Sequence, residues 1–312
     1  MMAEFLKGFP LAASALDRFK AAARKRMQTE QLGVHLRRRR GQSLEYLEHR
    51  PYEPGDDVRH IDWRASARLP EEGAFLVRTY AAEDRLTLLI SIDDRSTMRR
   101  RNRVKLKIAA WLAYAIGRAS ARPGDRVYLH LLFGPARPAV EIRPRSAAKQ
   151  LADELDGVYN TERLAAEQEI LVNSQPVARL LRPTAVWLVI TDLYFDEEAG
   201  DRLGELLRRA QRMNCLVTLI DIDAWQVERR ALLEAGAVKI TQPRQHRFTF
   251  RDDEARRIDR EIERRKQSFI GKARRASFAL SVWTQRPEET ESSFFKERFE
   301  HDGNLRKFFR SK

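Results

Sequence analysis

The sequence predicts an α/β protein: a doubly wound, mostly parallel sheet with a small β-rich N-terminal appendage. Three observations carry this reading. Apolar runs at 86–93 (LTLLISID), 185–191 (AVWLVIT, followed by Asp192) and 216–221 (LVTLID) end in carboxylates, as strands buried on both faces read. Helical patterns separate these runs, and strands alternating with helices build a sheet covered on both faces through right-handed crossovers. All of this follows residue 84, whereas 33–84 holds short β-branched and aromatic stretches around a Pro-Gly turn.

Each element follows in order. Residues 1–32 are read as an amphipathic helix, from the spacing of Leu11, Leu16, Phe19 and Ala23. Lys7 precedes a short apolar run as in a signal peptide, but Asp17, Arg18 and Lys20 end that run early. The run Arg37, Arg38, Arg39, Arg40 reads as a solvated connector. Strands at 42–50 and 74–80 flank the turn, and the second leads directly into the main domain, so the appendage is expected to pack on its sheet. The main domain spans 85–299. Its first helix, 103–120, has the apolar face Val104, Ile108, Trp111, Leu112, Ala115 and Ile116 and ends before Pro123-Gly124. Strands 126–133 and 139–143, joined through Gly134-Pro135, form an antiparallel pair. Helices at 146–155, 175–182, 197–212 and 224–234 and a short strand at 237–240 continue the alternation. A basic helix over 253–275, a strand at 278–284, a helix at 294–299 and a basic tail, 300–312, complete the chain.

The composition bounds the function. With 312 residues the chain can bury a full core. Lys plus Arg number 59 against 45 Asp plus Glu, a net charge of +14 that biases encounters toward anionic partners or surfaces. Cys215, the sole cysteine, lies in an apolar run and reads as a buried small side chain. No apolar run has the roughly 18 residues of a spanning helix, and a cytoplasmic location is expected. The chain has no phosphate-binding G-x-x-x-x-G-K-[ST] loop, no C-x-x-C and no H-E-x-x-H.

Residues 46–68, YLEHRPYEPGDDVRHIDWRASAR, are the most unusual stretch. Pro54 and Gly55 make a turn. Asp56, Asp57 and Asp62 then alternate with Arg59, Arg64 and Arg68 beside Tyr52 and Trp63, which predicts a mutually satisfied charge network in which each buried carboxylate finds an arginine or a backbone N–H. His60, Asp62 and Ser66 are the ingredients of a catalytic triad, but adjacency in sequence is not triad geometry. The order R-x-Y-x-P-G-D-D-x-R-x-I-D-W-x-x-x-A-R, from Arg50 to Arg68, resembles the signature of the bacterial domain of unknown function 58 family. That resemblance implies a von Willebrand factor A-like domain after the signature. It also implies a MoxR-type AAA+ ATPase as partner, since members are commonly encoded beside one, and hence a non-enzymatic adaptor in assembly or chaperone-like activation.

The same resemblance directs attention to the carboxyl ends of the strands, where ligands of open parallel sheets sit. Von Willebrand factor A-like domains hold a metal-ion-dependent adhesion site there: D-x-S-x-S, a loop threonine and a late aspartate, oxygen ligands suited to Mg²⁺. This chain keeps the pattern in part. Asp192 matches the late aspartate and Thr161 the threonine. Anchored on Asp93, the hydroxyl positions become Arg95 and Thr97; anchored on Asp94, Ser96 is kept and Met98 replaces the second hydroxyl. The readings are a degenerate Mg²⁺ site and a site in which tethered Arg95 replaces the ion. Among partners, nucleic acid competes through the basic clusters, but these lack interleaved aromatics for base stacking. Anionic lipid explains the same charge.

Overall fold

The computed structural model describes residues 3–12, 15–16, 46–52, 58–68, 75–80, 87–121, 125–134, 137–161, 172–183, 185–240, 246–249, 251–273 and 276–305. The chain divides into two compact units, residues 30–85 and residues 1–29 with 86–312. Pro54, Gly55, Asp56 and Asp57 and the arginine run at 37–40 lie outside the described residues.

In the smaller unit β1 (Tyr46–Pro51) is followed by a one-turn helix, α1 (Trp63–Ser66), and by β2 (Leu76–Tyr80), which pairs antiparallel with β1. The signature folds back on this ribbon through a bridge between Ile61 and the buried Val77.

The larger unit runs β3 (Thr87–Ile92), α2 (Ser96–Ser120), β4 (Arg126–Leu131), β5 (Val140–Ile142), α3 (Ala147–Asn160), α4 (Ser174–Leu180), β6 (Val186–Thr191), α5 (Glu197–Arg212), β7 (Leu216–Asp223), α6 (Trp225–Ala235), β8 (Ala237–Ile240), β9 (His246–Thr249), α7 (Asp252–Ala273), β10 (Ala279–Thr284) and α8 (Glu291–His301). Its six-stranded sheet has the order β10-β7-β6-β3-β4-β5 and is parallel except for β5, the doubly wound architecture expected from the alternation. Successive residues of a strand point to opposite faces, and the core divides accordingly. Leu88, Ile90, Ile92, Val186, Leu188 and Ile190 pack with α2, α3 and α8, while Leu89, Trp187 and Val189 pack with α4, α5 and α7. β3 and β6 are central and buried on both faces, which is why their sequences are continuous apolar runs.

Three features depart from expectation. α2 starts at Ser96 rather than at 103, because the charged run from Arg99 to Arg103 hides the apolar period; the helix is continuous to Ser120 although Arg103 has a left-handed φ of +58°. β8 lies outside the main sheet and pairs antiparallel with β9, a strand too short to register in the sequence. The N-terminal stretch read as an amphipathic helix is not α-helical over 3–12, where it packs into the larger unit's core; Phe19 and Ala23 lie outside the described residues. Glu4–Leu6 form one 3₁₀ turn, Phe5, Leu11 and Leu16 are buried, and the indole of Trp111 donates to the Phe5 carbonyl. Phe9 adds edge-on ring contacts with Trp111 and Tyr114, and Ser292 Oγ donates to the Gly8 carbonyl at 2.6 Å.

Side chains occupy both outer strands of the sheet. Beside β5, the amide of Gln150 donates to the Glu141 carbonyl at 2.9 Å and accepts from the Arg143 N–H at 3.0 Å. On β10, the carbonyls of Leu280 and Thr284 accept from Asn304 Nδ2 at 3.1 Å and Arg298 Nη2 at 3.2 Å.

Because Phe5 is fully buried in the α2 side of the core, Phe5→Ala is expected to cost about 3–5 kcal/mol. Urea denaturation measures it, and an unchanged midpoint would place this segment outside the core.

Candidate functional site

Three adjacent parallel strands deliver carboxylates to one edge of the sheet: β3 ends at Asp93, β6 at Asp192, and β7 at Asp221 and Asp223. Asp93 and Asp192 are fully buried, and Asp221 nearly so. A buried carboxylate without a counter-charge is costly. Here each is met by a cation from a different element.

Arg95, in the β3–α2 turn, is fixed from four directions. Its Nε lies 3.0 and 3.2 Å from the two oxygens of Asp93, and its Nη2 lies 2.7 Å from Asp93 Oδ2 and 3.3 Å from Asp192 Oδ1. Nη1 donates to the Tyr194 carbonyl at 3.2 Å. The guanidinium carbon sits 4.3 Å from the Phe133 ring centroid and 4.8 Å from that of Phe195, two adjoining rings whose centroids are 5.8 Å apart, so it makes two cation–π contacts in a desolvated setting. The neighbouring carboxylates hold the guanidinium protonated, outweighing its burial.

Asp192 is shared between two cations. Lys105, fully buried on α2, donates to Asp192 Oδ2 at 3.0 Å and reaches Glu228 of α6 at 3.1 Å. Burial would raise the Asp192 pKa, but Lys105 and then Arg95, together with hydrogen bonds from Lys105 and the Tyr194 N–H, hold it below the usual carboxylate range. Leu193 adopts a left-handed φ of +57°, a strained conformation for a branched side chain, and turns the Tyr194 N–H back onto Asp192 Oδ1 at 3.2 Å.

Tyr194 continues the array. Its ring lies 4.6 Å from Lys105 Nζ and 5.1 Å from Lys266 Nζ, and burial with the surrounding carboxylates raises its phenol pKa far above the ordinary value. Lys266 of α7 pairs with Asp221 at 2.7 Å and Asp223 at 3.0 Å. Five carboxylates (Asp93, Asp192, Asp221, Asp223, Glu228) thus face three cations (Arg95, Lys105, Lys266). The excess is felt at Asp221: burial, only partly offset by Lys266, and the charges of Asp223 and Asp192 push its carboxyl up to about 7. Its Oδ1 has no hydrogen-bond partner among the described residues.

The donor set does not fit a divalent cation. Asp93 Oδ1 accepts from the N–H and Nε of Arg95, and Oδ2 from Nη2 and from Thr191 Oγ1 at 2.7 Å; both Asp192 oxygens are likewise engaged. Ser96 opens α2, and Thr97 Oγ1 is buried without a partner among the described residues. Thr161 turns its hydroxyl onto the Gly157 carbonyl of its own helix at 2.6 Å. Asp94 lies on Arg99, which donates to its carbonyl at 3.0 Å and to the carbonyls of Val158 and Thr161 at 2.8 Å. No group of three or more His, Cys, Asp or Glu among the described residues is arranged to hold a metal ion. Cys215 is buried and burial pushes its thiol up to about 11, the chemistry of an inert core cysteine.

Of the three carboxylates of the expected network, Asp56 and Asp57 lie outside the described residues, and Asp62 has a structural role. Asp62 is the N-cap of α1: its Oδ1 accepts from the N–H groups of Arg64 and Ala65 at 3.1 and 3.0 Å, and its Oδ2 lies 2.9 Å from His49 Nε2. Ser66 Oγ donates to the Asp62 carbonyl at 2.7 Å and accepts from the Leu76 N–H at 2.9 Å, so this serine is a structural tie. Tyr52 is half-buried, and Arg59, Arg64, Arg68 and Trp63 are exposed. A cap is made with backbone N–H groups, and these engage one oxygen of Asp62.

The site missing from the sequence reading is Lys105, Glu228, Asp221, Asp223, Lys266 and Tyr194. A signal existed for the lysines. Lys105 shares the apolar face of Ile108 and Leu112, and Lys266 that of Phe269 and Ala273, at i+3 and i+7.

The fold and site define an α/β protein whose sheet end is closed by internal ion pairs. The model of the family described as "Protein of unknown function DUF58" matches residues 48–274, and the chain belongs to that family. A crystal structure of the conserved hypothetical protein BatB from Bacteroides thetaiotaomicron matches with 12% identity over 71% of this chain and 99% of that chain, at a TM-score of 0.33. No curated protein matches the chain. No helix among the described residues is long and apolar enough to cross a membrane.

The Asp221 pKa is raised from an unfolded value of about 3.9 to about 7. Between those values the folded protein retains a proton that the unfolded chain has lost. Asp221 therefore makes stability fall as pH rises through this window. Asp221→Asn is expected to flatten that decline in denaturation midpoints measured across the window; an undiminished slope would assign it to other groups.

Proposed function

We propose that this chain is a non-enzymatic protein-interaction adaptor whose larger unit works as a metal-independent von Willebrand factor A-like module, and that Arg95 takes the place of the divalent ion. The single observation that supports this reading is the bridge of Arg95 between Asp93 and Asp192, with its ring contacts on Phe133 and Phe195. A guanidinium tethered at that point supplies the positive charge that an ion otherwise brings to two strand-end carboxylates. Strong repulsion would meet a divalent cation placed beside it. The partner, by family resemblance, is a MoxR-type AAA+ ATPase, with the adaptor serving assembly or chaperone-like activation of a target in the cytoplasm.

Nucleic acid and anionic membrane are the less favoured partners. The long helix α7 interleaves its arginines with acids: Arg264 and Arg265 both engage Glu261, at 2.9 and 2.7 Å, and Lys272 pairs with Asp201 at 2.8 Å. Such a face is not a uniform positive stripe. In α2, which carries no acid, Lys105 is buried and Arg99 and Arg103 are turned onto the carbonyls of Val158, Tyr159 and Thr161.

Two measurements test the reading. The purified chain, mixed with the MoxR-type ATPase of its own host, is expected to co-elute with it in gel filtration whether or not a chelator is present; separate elution rejects the ATPase, and a complex abolished by chelator rejects metal independence. In calorimetric titration the wild type is expected to take up no Mg²⁺. Arg95→Ser, which restores an oxygen ligand and removes a cation, is expected to gain Mg²⁺ affinity and, in the absence of metal, to lose about 3–5 kcal/mol of stability from uncompensated buried carboxylates. Tight Mg²⁺ binding by the wild type that disappears in Arg95→Ser would reverse the assignment.

A further inference from the structure

Large apolar side chains are exposed at only four positions among the described residues: Val58 at 59%, Trp63 at 63%, Phe75 at 38% and Val282 at 55%. Three of these belong to the smaller unit, and two lie within the eleven residues 58–68 of the signature. A solvated hairpin has no reason to carry them, since an exposed tryptophan contributes nothing to its own unit's core.

The local structure shows how the exposure is produced. Asp62 is buried and caps α1, which makes Trp63 the first residue of the helix and Arg64 the second. Ser66, at the other end of the single turn, is tied to the Asp62 carbonyl and to the Leu76 N–H of β2. The Asp62 N–H donates to the Leu76 carbonyl at 2.8 Å, so the helix is fastened to the strand at both ends. With the buried side so fixed, Trp63 and Arg64 must project outward. The Trp63 ring meets the edge of Phe75, with centroids 5.5 Å apart and planes at 75°, which limits the ring's freedom before any partner arrives.

The charges that residues 58–68 present to solvent are basic. Within 58–68 the only carboxylate is Asp62, which is buried in the cap, while Arg59, Arg64 and Arg68 are exposed. Tryptophan and arginine are the residue types most concentrated at energetic centres of protein interfaces. A held aromatic pair flanked by guanidinium groups matches a partner that offers an apolar side chain between carboxylates.

From these observations we infer that the I-D-W-R part of the signature is a docking surface for an acidic, apolar-anchored segment of another protein, with Trp63 as its anchor and Arg64 and Arg68 as its charge-selecting rim. The inference rests on the reading of this chain as a protein-interaction module, but it concerns a surface of the smaller unit and not the sheet end. Asp62 acts through the others: it is a positioning residue.

The test uses the full-length chain and fluorescence anisotropy with three short labelled peptides: one alternating Asp/Glu with Leu/Phe, a second with Lys in place of the acids, and a third with the acids and no apolar residues. Only the first is expected to bind, more weakly as salt rises. Trp63→Ala should weaken it about tenfold or more, with the thermal midpoint unchanged because the ring is exposed. Arg64→Glu with Arg68→Glu should weaken it and flatten the salt dependence. Equal binding of the basic peptide, or affinity unaffected by either variant, overturns the inference. So does preferential uptake by phosphatidylglycerol vesicles that Trp63→Ala abolishes, which would make the surface a membrane contact. Loss of the ATPase complex with peptide binding intact would reject the ATPase alone, and absence of peptide binding with the ATPase complex intact would reject this surface alone.

Discussion

The constraint on which the larger unit depends is the neutralisation of carboxylates that the fold carries out of water at the ends of β3, β6 and β7. A parallel sheet covered on both faces gives these groups no route to solvent, so each must meet a cation within hydrogen-bonding reach. Arg95, Lys105 and Lys266 come from a turn and from two helices on opposite faces of the sheet. Their ion pairs therefore tie α2, α6 and α7 to the strand ends at fixed distances. Buried pairs are not in themselves a large source of stability, since desolvation offsets much of the attraction. Their effect here is on arrangement, because displacing one helix would leave a charge without its counterpart.

A tethered guanidinium differs from an ion in a physical respect that matters for the site. An ion leaves when chelated or diluted, and its ligands then repel one another. Arg95 is covalently attached and remains protonated at every ordinary pH, so Asp93 and Asp192 never confront each other uncompensated. Its planar fork also uses several acceptors at once, including the Tyr194 carbonyl, and it lies against the adjoining rings of Phe133 and Phe195. A lysine could supply the charge but not the planar fork that engages these acceptors together.

Much of the architecture was legible in the sequence because strands buried on both faces must be apolar throughout, as in 86–93 and 185–191, and because their terminal aspartates stand out against that background. The early start of α2 was not legible. Met98 and Leu106 belong to its buried face, but the intervening arginines and Asn102 give no apolar period to follow. The lysines were obscured for a different reason. A cation on an apolar helix face is ordinarily explained by its long stem reaching solvent, and only the three-dimensional neighbours show that Lys105 and Lys266 turn inward. In the signature, the alternation of acids and bases drew attention to charge pairing, but the capping role of Asp62 was not legible, because that demand exists only once a single turn of helix begins at Trp63.

The occupied outer strands of the sheet bear on how this molecule meets others. An uncovered strand edge is a template on which another chain can extend the sheet. Here a strand approaching β5 would first have to dislodge the Gln150 amide from Glu141 and Arg143, and one approaching β10 would have to displace Asn304 and Arg298. The side-chain amide of Gln150 presents a donor and an acceptor to β5 much as a neighbouring peptide group does, so it acts as a one-residue counterfeit strand. Sheet-to-sheet polymerisation is thereby discouraged at both ends without a proline or a bulge, and recognition is left to side chains on surfaces that can discriminate.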